Sequence, residues 1–335
     1  MMNDVREFKR LLEEIRWLDA QLQGKDFLLT WERSLKEVQQ VLYTAEALKW
    51  LYENNISAKC FDSGLAILQT RNRITPVQTS WTAWNRLAFV LAANSLGLTV
   101  HEVGDDEGDI QPAYLSFLRE ADIIGVQYTS PGSGGEKEAA ALSPLTRGPG
   151  IINLLCDLDY PIQAMADILV LKHHFGSLER LQDKKITVTW IYSPTYITPR
   201  SLPQGIVSLV TRFGMAVTLA HPGGFDLNPQ VMEMAHKHAE NSGGSFTTVH
   251  SPEQASRDAD AVYSLNWPPA TPIGKKTALE DWIYTGDSKT LSMETLHSAG
   301  WKSYITAAMI LNNRFEKPAK LLGDLKKRNA KRLIF

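Results

Sequence analysis

The stretch NLLCDLDYPIQAMADILVLKHHFGSLERLQDKKITVTWIYSPTY, residues 153–196, decides the fold. It opens at the end of an apolar run, GIINLLCD. It passes into a helical pattern headed by Pro161 and ends in a β-branched run, KKITVTWIY. Proline is at home in the first turn of a helix, and Ile, Val and Thr favour strands. Two strand-like runs joined by one long helix predict two sheets, with the boundary between Leu154 and Phe175.

Toward the N-terminus the rhythm is the same. AKCFD (58–62), a helix over Ser80–Leu96, LTVHEV (98–103), a helix near Ala113–Glu120 and DIIGVQY (122–128) lead into GIINLLCD. Toward the C-terminus, MAVTLAHP, GSFTTVHS and DAVYSLNW alternate with the helical PQGIVSLVTRFG and PQVMEMAHKHAEN. Strand–helix alternation predicts an α/β protein with parallel sheets covered on both faces. Gly214 and the Gly243–Gly244 pair read as helix stops, and Pro203 and Pro229 as first-turn residues. Two amphipathic helices precede the series. One carries Phe8, Leu11, Leu12, Ile15, Leu18 and Leu22, the other Val38, Val41, Leu42, Ala45, Leu48 and Leu51. A last helix is expected from Ser298 to Asn312. The Gly/Ser/Pro-rich 129–150 segment reads as a surface loop. In such sheets ligands bind at the carboxyl ends of strands, so two sheets predict a cleft at the domain junction.

Composition narrows the function classes. A formal net charge of -2 gives no electrostatic footprint for nucleic acid or an anionic membrane. The basic tail Lys326, Lys327, Arg328, Lys331, Arg332 reads as a solvated helix end or frayed terminus. The two cysteines, Cys60 and Cys156, lack the spacing of a zinc site or a disulfide framework, so no metal is expected. No apolar run approaches the roughly 20 residues that span a bilayer, and the N-terminus lacks a signal-peptide core. A soluble cytoplasmic protein is expected. No GxxxxGK, GxSxG or HExxH motif is present. The glycine pairs lack a GxGxxG context, so no dinucleotide or other cofactor is expected and a dehydrogenase is the weakest alternative.

Four stretches carry a resemblance to the aspartate/ornithine carbamoyltransferases, nearest their YgeW-like subgroup. These are FDSGLAI (61–67), the opening 153–196 stretch, SLPQGIVSLVTRFGMAVTLAHPGGFDL (201–227) and WKSYITAAMIL (301–311). The resemblance implies a first domain, residues 1–152 completed by 298–335, that binds carbamoyl phosphate. It implies a second, 153–297, that binds an amino-group acceptor, and a C-terminal helix that crosses back to the first. It also implies trimers with active sites at subunit junctions.

Carbamoyl phosphate is a dianion whose carbonyl gains charge under attack, so its site needs a helix N-terminus, arginines and preorganised donors. The sequence departs from the family there. The Ser-Thr-Arg-Thr-Arg loop becomes Thr82, Ala83, Trp84, Asn85, Arg86. The strand-end arginine becomes Gln127. His-Pro-Thr-Gln becomes Tyr160, Pro161, Ile162, Gln163. The His-Cys-Leu-Pro loop has no counterpart, since no cysteine follows Cys156. Losing one oxyanion donor costs about 2.7–4 kcal/mol. The residual catalytic set is therefore Arg86, Tyr160 and Gln163. The residual phosphate set is Thr82 and Arg86, joined by Arg71 and Arg73 from an apparent insertion, TRNRITPVQTSW. The acceptor side is better kept. Ser193, Thr195 and Tyr196 in the YSPTY loop, with Asn266 and Trp267 at the end of DAVYSLNW, are the candidate contacts. His221 reads as structural, His173 and His174 as surface residues, and Trp81 and Trp84 as packing or interface residues. The resulting expectation is a weakly active or non-catalytic homologue. It would bind a small amino-acid-like ligand, or assemble as a homotrimer or as a hetero-oligomer with an active paralogous carbamoyltransferase. The alternative is an active transferase with a rebuilt donor site around Arg71 and Arg73.

Overall fold

A computed structural model describes residues 5–71, 79–104, 116, 118–128, 148–193, 197–251, 254, 258–270, 279, 282, 290–293 and 298–332. The chain divides into two compact units. One comprises residues 1–73, 81–156 and 300–335, the other residues 74–80 and 157–299.

The first unit begins with α1 (Val5–Leu18) and α2 (Leu35–Glu53). The stripe read from the sequence is the buried face of α1, and Asp19, at φ 42°, leaves the helical region and ends it. Ser34 starts α2 through a reciprocal cap. Its hydroxyl accepts from Glu37 N, and the Glu37 carboxylate accepts from Ser34 N at 2.7 Å. Lys25 reaches the same carboxylate at 2.7 Å.

Then follow β1 (Leu65–Arg71), α3 (Thr79–Leu96), β2 (Thr99–Gly104), β3 (Ile123–Tyr128) and β4 (Gly150–Leu155). The sheet is wholly parallel, in the order β2-β1-β3-β4. The first strand is therefore Leu65–Arg71 and not AKCFD. Residues 58–62 are not in a strand, and the N–H groups of Cys60 and Phe61 cap α3 by donating to Leu96 O. Leu65–Arg71 pairs with strands on both sides, and Ala66–Gln69 at its centre are buried whichever face they take. Of the helix expected near 113–120, residues 116 and 118–120 are described; 116, 118 and 119 are helical and 120 is in a turn.

Two C-terminal helices complete this unit. α7 (Lys302–Arg314) packs on α2 and β4, and α8 (Pro318–Arg332) on α1 and α2. Asn312 and Asn313 anchor α7. Asn312 Oδ1 accepts from Gln40 Nε2 at 2.7 Å, and Asn313 Nδ2 donates to Lys25 O at 3.0 Å. The basic tail forms the last turns of α8, which is held by buried Leu322 and Leu325.

The second unit runs α4 (Pro161–Phe175), β5 (Lys185–Trp190), α5 (Ser201–Val210), β6 (Ala216–Ala220), α6 (Pro229–Ser242), β7 (Ser245–Val249), β8 (Ala261–Leu265) and β9 (Leu291–Met293). These strands too are all parallel, in the order β7-β6-β5-β8-β9. β9, only three residues long, was not legible in the sequence. The architecture is two parallel-sheet α/β units, as the strand–helix alternation predicts. Parallel strands gather their carboxyl ends on one edge of each sheet. The described candidate residues stand at those ends or early in the helices that follow them.

Candidate functional site

In the first unit, the donor-side residues occupy the start of α3 and the strand ends. Thr82 and Asn85 are buried, and Asn85 Nδ2 donates to Leu154 O at 3.5 Å. Arg86 points the other way. Its guanidinium is exposed and paired with Glu102 of β2, so its charge is already met by a carboxylate. Trp84, where the family loop has its first arginine, is exposed. Arg71 ends β1, but its side chain, like the whole of Arg73, lies outside the described residues. Gln127 stands near the carboxyl end of β3, fully buried.

In the second unit, Tyr160 is the N-cap of α4 and Gln163 lies in its first turn. Both are buried. Gln163 Nε2 donates to Asp167 Oδ1 at 2.8 Å and to Ser298 Oγ at 2.6 Å. Spending both N–H bonds fixes the amide and leaves its carbonyl, Oε1, buried without a partner among the described residues. That oxygen is available to an incoming N–H. Gly205 lets α5 approach the start of α4, because a Cβ there would stand 2.9 Å from Asp159 Oδ1. Gln204 locks the same junction, donating to Asp157 O and Leu158 O at 2.9 and 2.8 Å.

The loop between β5 and α5 is pinned to the end of β8. Asn266 Nδ2 donates to Ser193 O at 2.7 Å, and Asn266 O accepts from Thr198 N at 2.6 Å and Thr198 Oγ1 at 3.0 Å. Trp267 supports this end from within. Its indole is fully buried, Nε1 donates to Phe225 O at 2.8 Å, and its carbonyl accepts from Trp190 Nε1 at 2.9 Å. Ser193 and Asn266 thus come together, with Trp267 as their foundation. Thr195 and Tyr196 lie outside the described residues.

Two residues that the sequence reading passed over stand where this loop meets α5. Arg200 is the N-cap, in helical geometry and with no side-chain capping bond. Its guanidinium donates to Pro269 O and, at 3.3 Å, to Pro268 O. No carboxylate partners it among the described residues, Nε is buried without an acceptor, and burial lowers its pKa. Beside it, Ser201 is 1 % exposed and its hydroxyl also has no partner among the described residues. A half-buried cation and an idle hydroxyl form a seat for an anion, to which the helix adds little, since Leu202 N donates to Pro199 O and Pro203 has no N–H. A sequence signal existed: a lone cation at a helix start opposes the helix dipole, so structure alone does not favour it there.

His221 is buried, with Nδ1 2.9 Å from Pro222 O, its ring edge-on to His250 and its pKa lowered by burial. His173 and His174 are exposed. Burial pushes the Cys60 thiol up to about 12, so it is not a nucleophile at neutral pH. Among the described residues, no cluster of three or more His, Cys, Asp or Glu could hold a metal. No helix there is long and apolar enough to cross a membrane.

Known proteins resemble this chain in sequence and in fold. Residues 196–291 fit the family model described as "Aspartate/ornithine carbamoyltransferase, Asp/Orn binding domain". The chain is 37% identical to "Putative carbamoyltransferase YgeW" of Escherichia coli (strain K12), an alignment covering 99% of this chain and 100% of that one. Among solved structures, ornithine carbamoyltransferase from Pyrococcus furiosus superposes with a TM-score of 0.66. That match has 18% identity and covers 88% of this chain and 98% of the other. A variant of N-acetyl-L-ornithine transcarbamylase, complexed with carbamyl phosphate and N-succinyl-L-norvaline, superposes at 0.64. It is 21% identical and covers 85% of this chain and 98% of that one. Whole-length identity to one relative and the fold shared with the others lead to one conclusion: this chain belongs to the aspartate/ornithine carbamoyltransferase family.

Proposed function

We propose that the second unit binds the carboxylate of an amino-acid-like ligand at the start of α5, and that little carbamoyl transfer from carbamoyl phosphate remains. The observation that carries this reading is Arg200, a half-buried guanidinium whose Nε has no acceptor and which has no counter-charge among the described residues. A carboxylate would supply that charge and take the Ser201 hydroxyl. Ser193 and Asn266 border the same loop, and Gln163 Oε1 offers an acceptor for a carbamoyl N–H. On the donor side, Arg86 is spent on Glu102 and Tyr160 stands where the family has its polarising histidine. Among its described residues α3 thus offers a dianion no unpaired cation, and the chain acts as a weakly active or non-catalytic binding homologue in the cytoplasm.

Titration calorimetry of the full chain tests this. N-succinyl-L-norvaline, L-ornithine and L-aspartate serve as acceptor-side probes and carbamoyl phosphate as donor. At least one acceptor-side probe is expected to bind and carbamoyl phosphate is not. Micromolar carbamoyl phosphate affinity with turnover would instead favour a rebuilt donor site. That second reading draws on β1 running out to Arg71, which places this arginine at a strand end. In that case Arg71→Ala with Arg73→Ala would abolish donor binding.

The chain also assembles, most simply as a homotrimer or with a paralogous carbamoyltransferase. Trp84, Leu87 and Leu91 form a stripe along α3, exposed by 52%, 47% and 52%. Three large apolar side chains at helical spacing make a face that a partner subunit would cover.

A further inference from the structure

The first unit contains a buried polar group with nothing to bind. Gln127 is 0% exposed, and neither Nε2 nor Oε1 has a hydrogen-bond partner among the described residues. Leaving such a group unsatisfied is costly, and native proteins rarely do so without a reason.

Its position can be worked out from the register. On β3, Gly125 pairs with Leu68 and Gln127 with Thr70, so Gly125 and Gln127 share one face of the sheet. That face is covered by α3, because a Cβ on Gly125 would stand 2.5 Å from the Phe89 ring. Gln127 lies two residues further along the strand, about 6.6 Å. Four residues back along α3 from Phe89 is Asn85, about 6 Å in the same direction. The Gln127 carboxamide therefore sits beneath the Thr82–Asn85 turn. The backbone there is interrupted too. The β3–β4 register slips between Val126 and Gln127, giving Leu154 no cross-strand partner, and Asn85 takes Leu154 O. Bulges of this kind re-aim side chains beside functional sites.

A carboxamide offers two donors and one acceptor in a plane and carries no charge. Its natural complement is another planar neutral amide. We propose that Gln127 is a specificity-determining residue that pairs with the uncharged –C(=O)NH2 end of a carbamoyl or ureido compound beneath the first turns of α3. This rests on the reading that the donor side no longer holds a dianion, and it names the neutral group that side takes instead. Gln69 is as buried and as unpartnered, but the register pairs it with Val126, which places it on the opposite face. It serves as an internal control.

The test uses the full chain with 15N-labelled glutamine side chains. The Gln127 signal is assigned by its loss in Gln127→Met, an isosteric change that removes the amide. N-ethylurea should shift the Gln127 amide saturably and leave Gln69 unmoved, and inorganic phosphate should move neither. Gln127→Met should weaken N-ethylurea binding by about tenfold or more. Its melting temperature should hold or rise, because a buried orphan has been removed. A Gln127 signal indifferent to N-ethylurea, or one that follows phosphate, overturns the proposal. So does a marked fall in melting temperature, which would mean that the amide is bonded within the protein. None of these readouts involves Arg200, so failure of the carboxylate seat would appear separately, in the amino-acid titrations.

Discussion

Replacing Arg200 with glutamine separates binding from stability. The side chain keeps an N–H that can reach Pro269 O but loses its charge and its second arm. If a carboxylate sits on Arg200, the charge-assisted bond contributes about 1.5–3 kcal/mol, so Arg200→Gln should weaken amino-acid binding by roughly ten- to over a hundred-fold. Stability should respond in the opposite sense, or hardly at all. The two contacts to proline carbonyls, from a charged donor that water still reaches, are weakened rather than lost, since the amide keeps one of them. Against this, an uncompensated and partly desolvated charge disappears. Calorimetry with the tightest-binding of the three acceptor-side probes, beside urea unfolding of the same preparations, reads both quantities. Equal affinity in Arg200→Gln and the parent would refute the carboxylate seat. A large loss of stability with affinity unchanged would make Arg200 a structural clamp on the Pro268–Pro269 turn.

Three further outcomes are expected. Gly205→Ala should lower stability by about 1–3 kcal/mol, since the methyl meets Asp159 Oδ1 at 2.9 Å and Tyr160 N at 3.3 Å in a packed junction; chemical denaturation measures it. Burial holds the His221 pKa below its usual 6.5, so the unfolded chain binds the proton first. Stability should therefore be full above about pH 6.5 and fall as pH drops below it, and His221→Phe should flatten that slope in urea midpoints compared at pH 7.5 and 5.5. Leu87→Lys with Leu91→Lys should shift sedimentation toward the monomer if the α3 stripe is an assembly face; unchanged mass would remove that role.

The sequence disclosed what periodicity controls. The α1 and α2 stripes and the alternation of strands and helices are properties of residue order. So are the glycine stops at Gly214 and Gly243, both in the left-handed region. Where the first strand began was misjudged because AKCFD and LAILQTR are both short apolar runs. Only the tertiary pairing of Leu65–Arg71 on both sides distinguishes them. Asn266 could be nominated because it follows a strand end, and Ser193 because the family resemblance points to the loop after β5. Arg200 carried in the sequence only the signal of a cation at a helix start, and its lack of a counter-charge is a relation among distant residues. The same holds for Gln127. As a letter it reads as a lost arginine, and only its burial and its idle amide give it a role of its own.

Unit one is closed by α7 and α8, which are made after every strand of both units. During synthesis its sheet emerges first, yet β4 and α2 lack their covering helix until Lys302–Arg314 has been made. The segment from Asp157 to Ala299 is made before that helix. The order of folding should thus invert the order of translation, and a ribosome stalled before Gly300 would hold a half-clothed sheet for chaperones to shield.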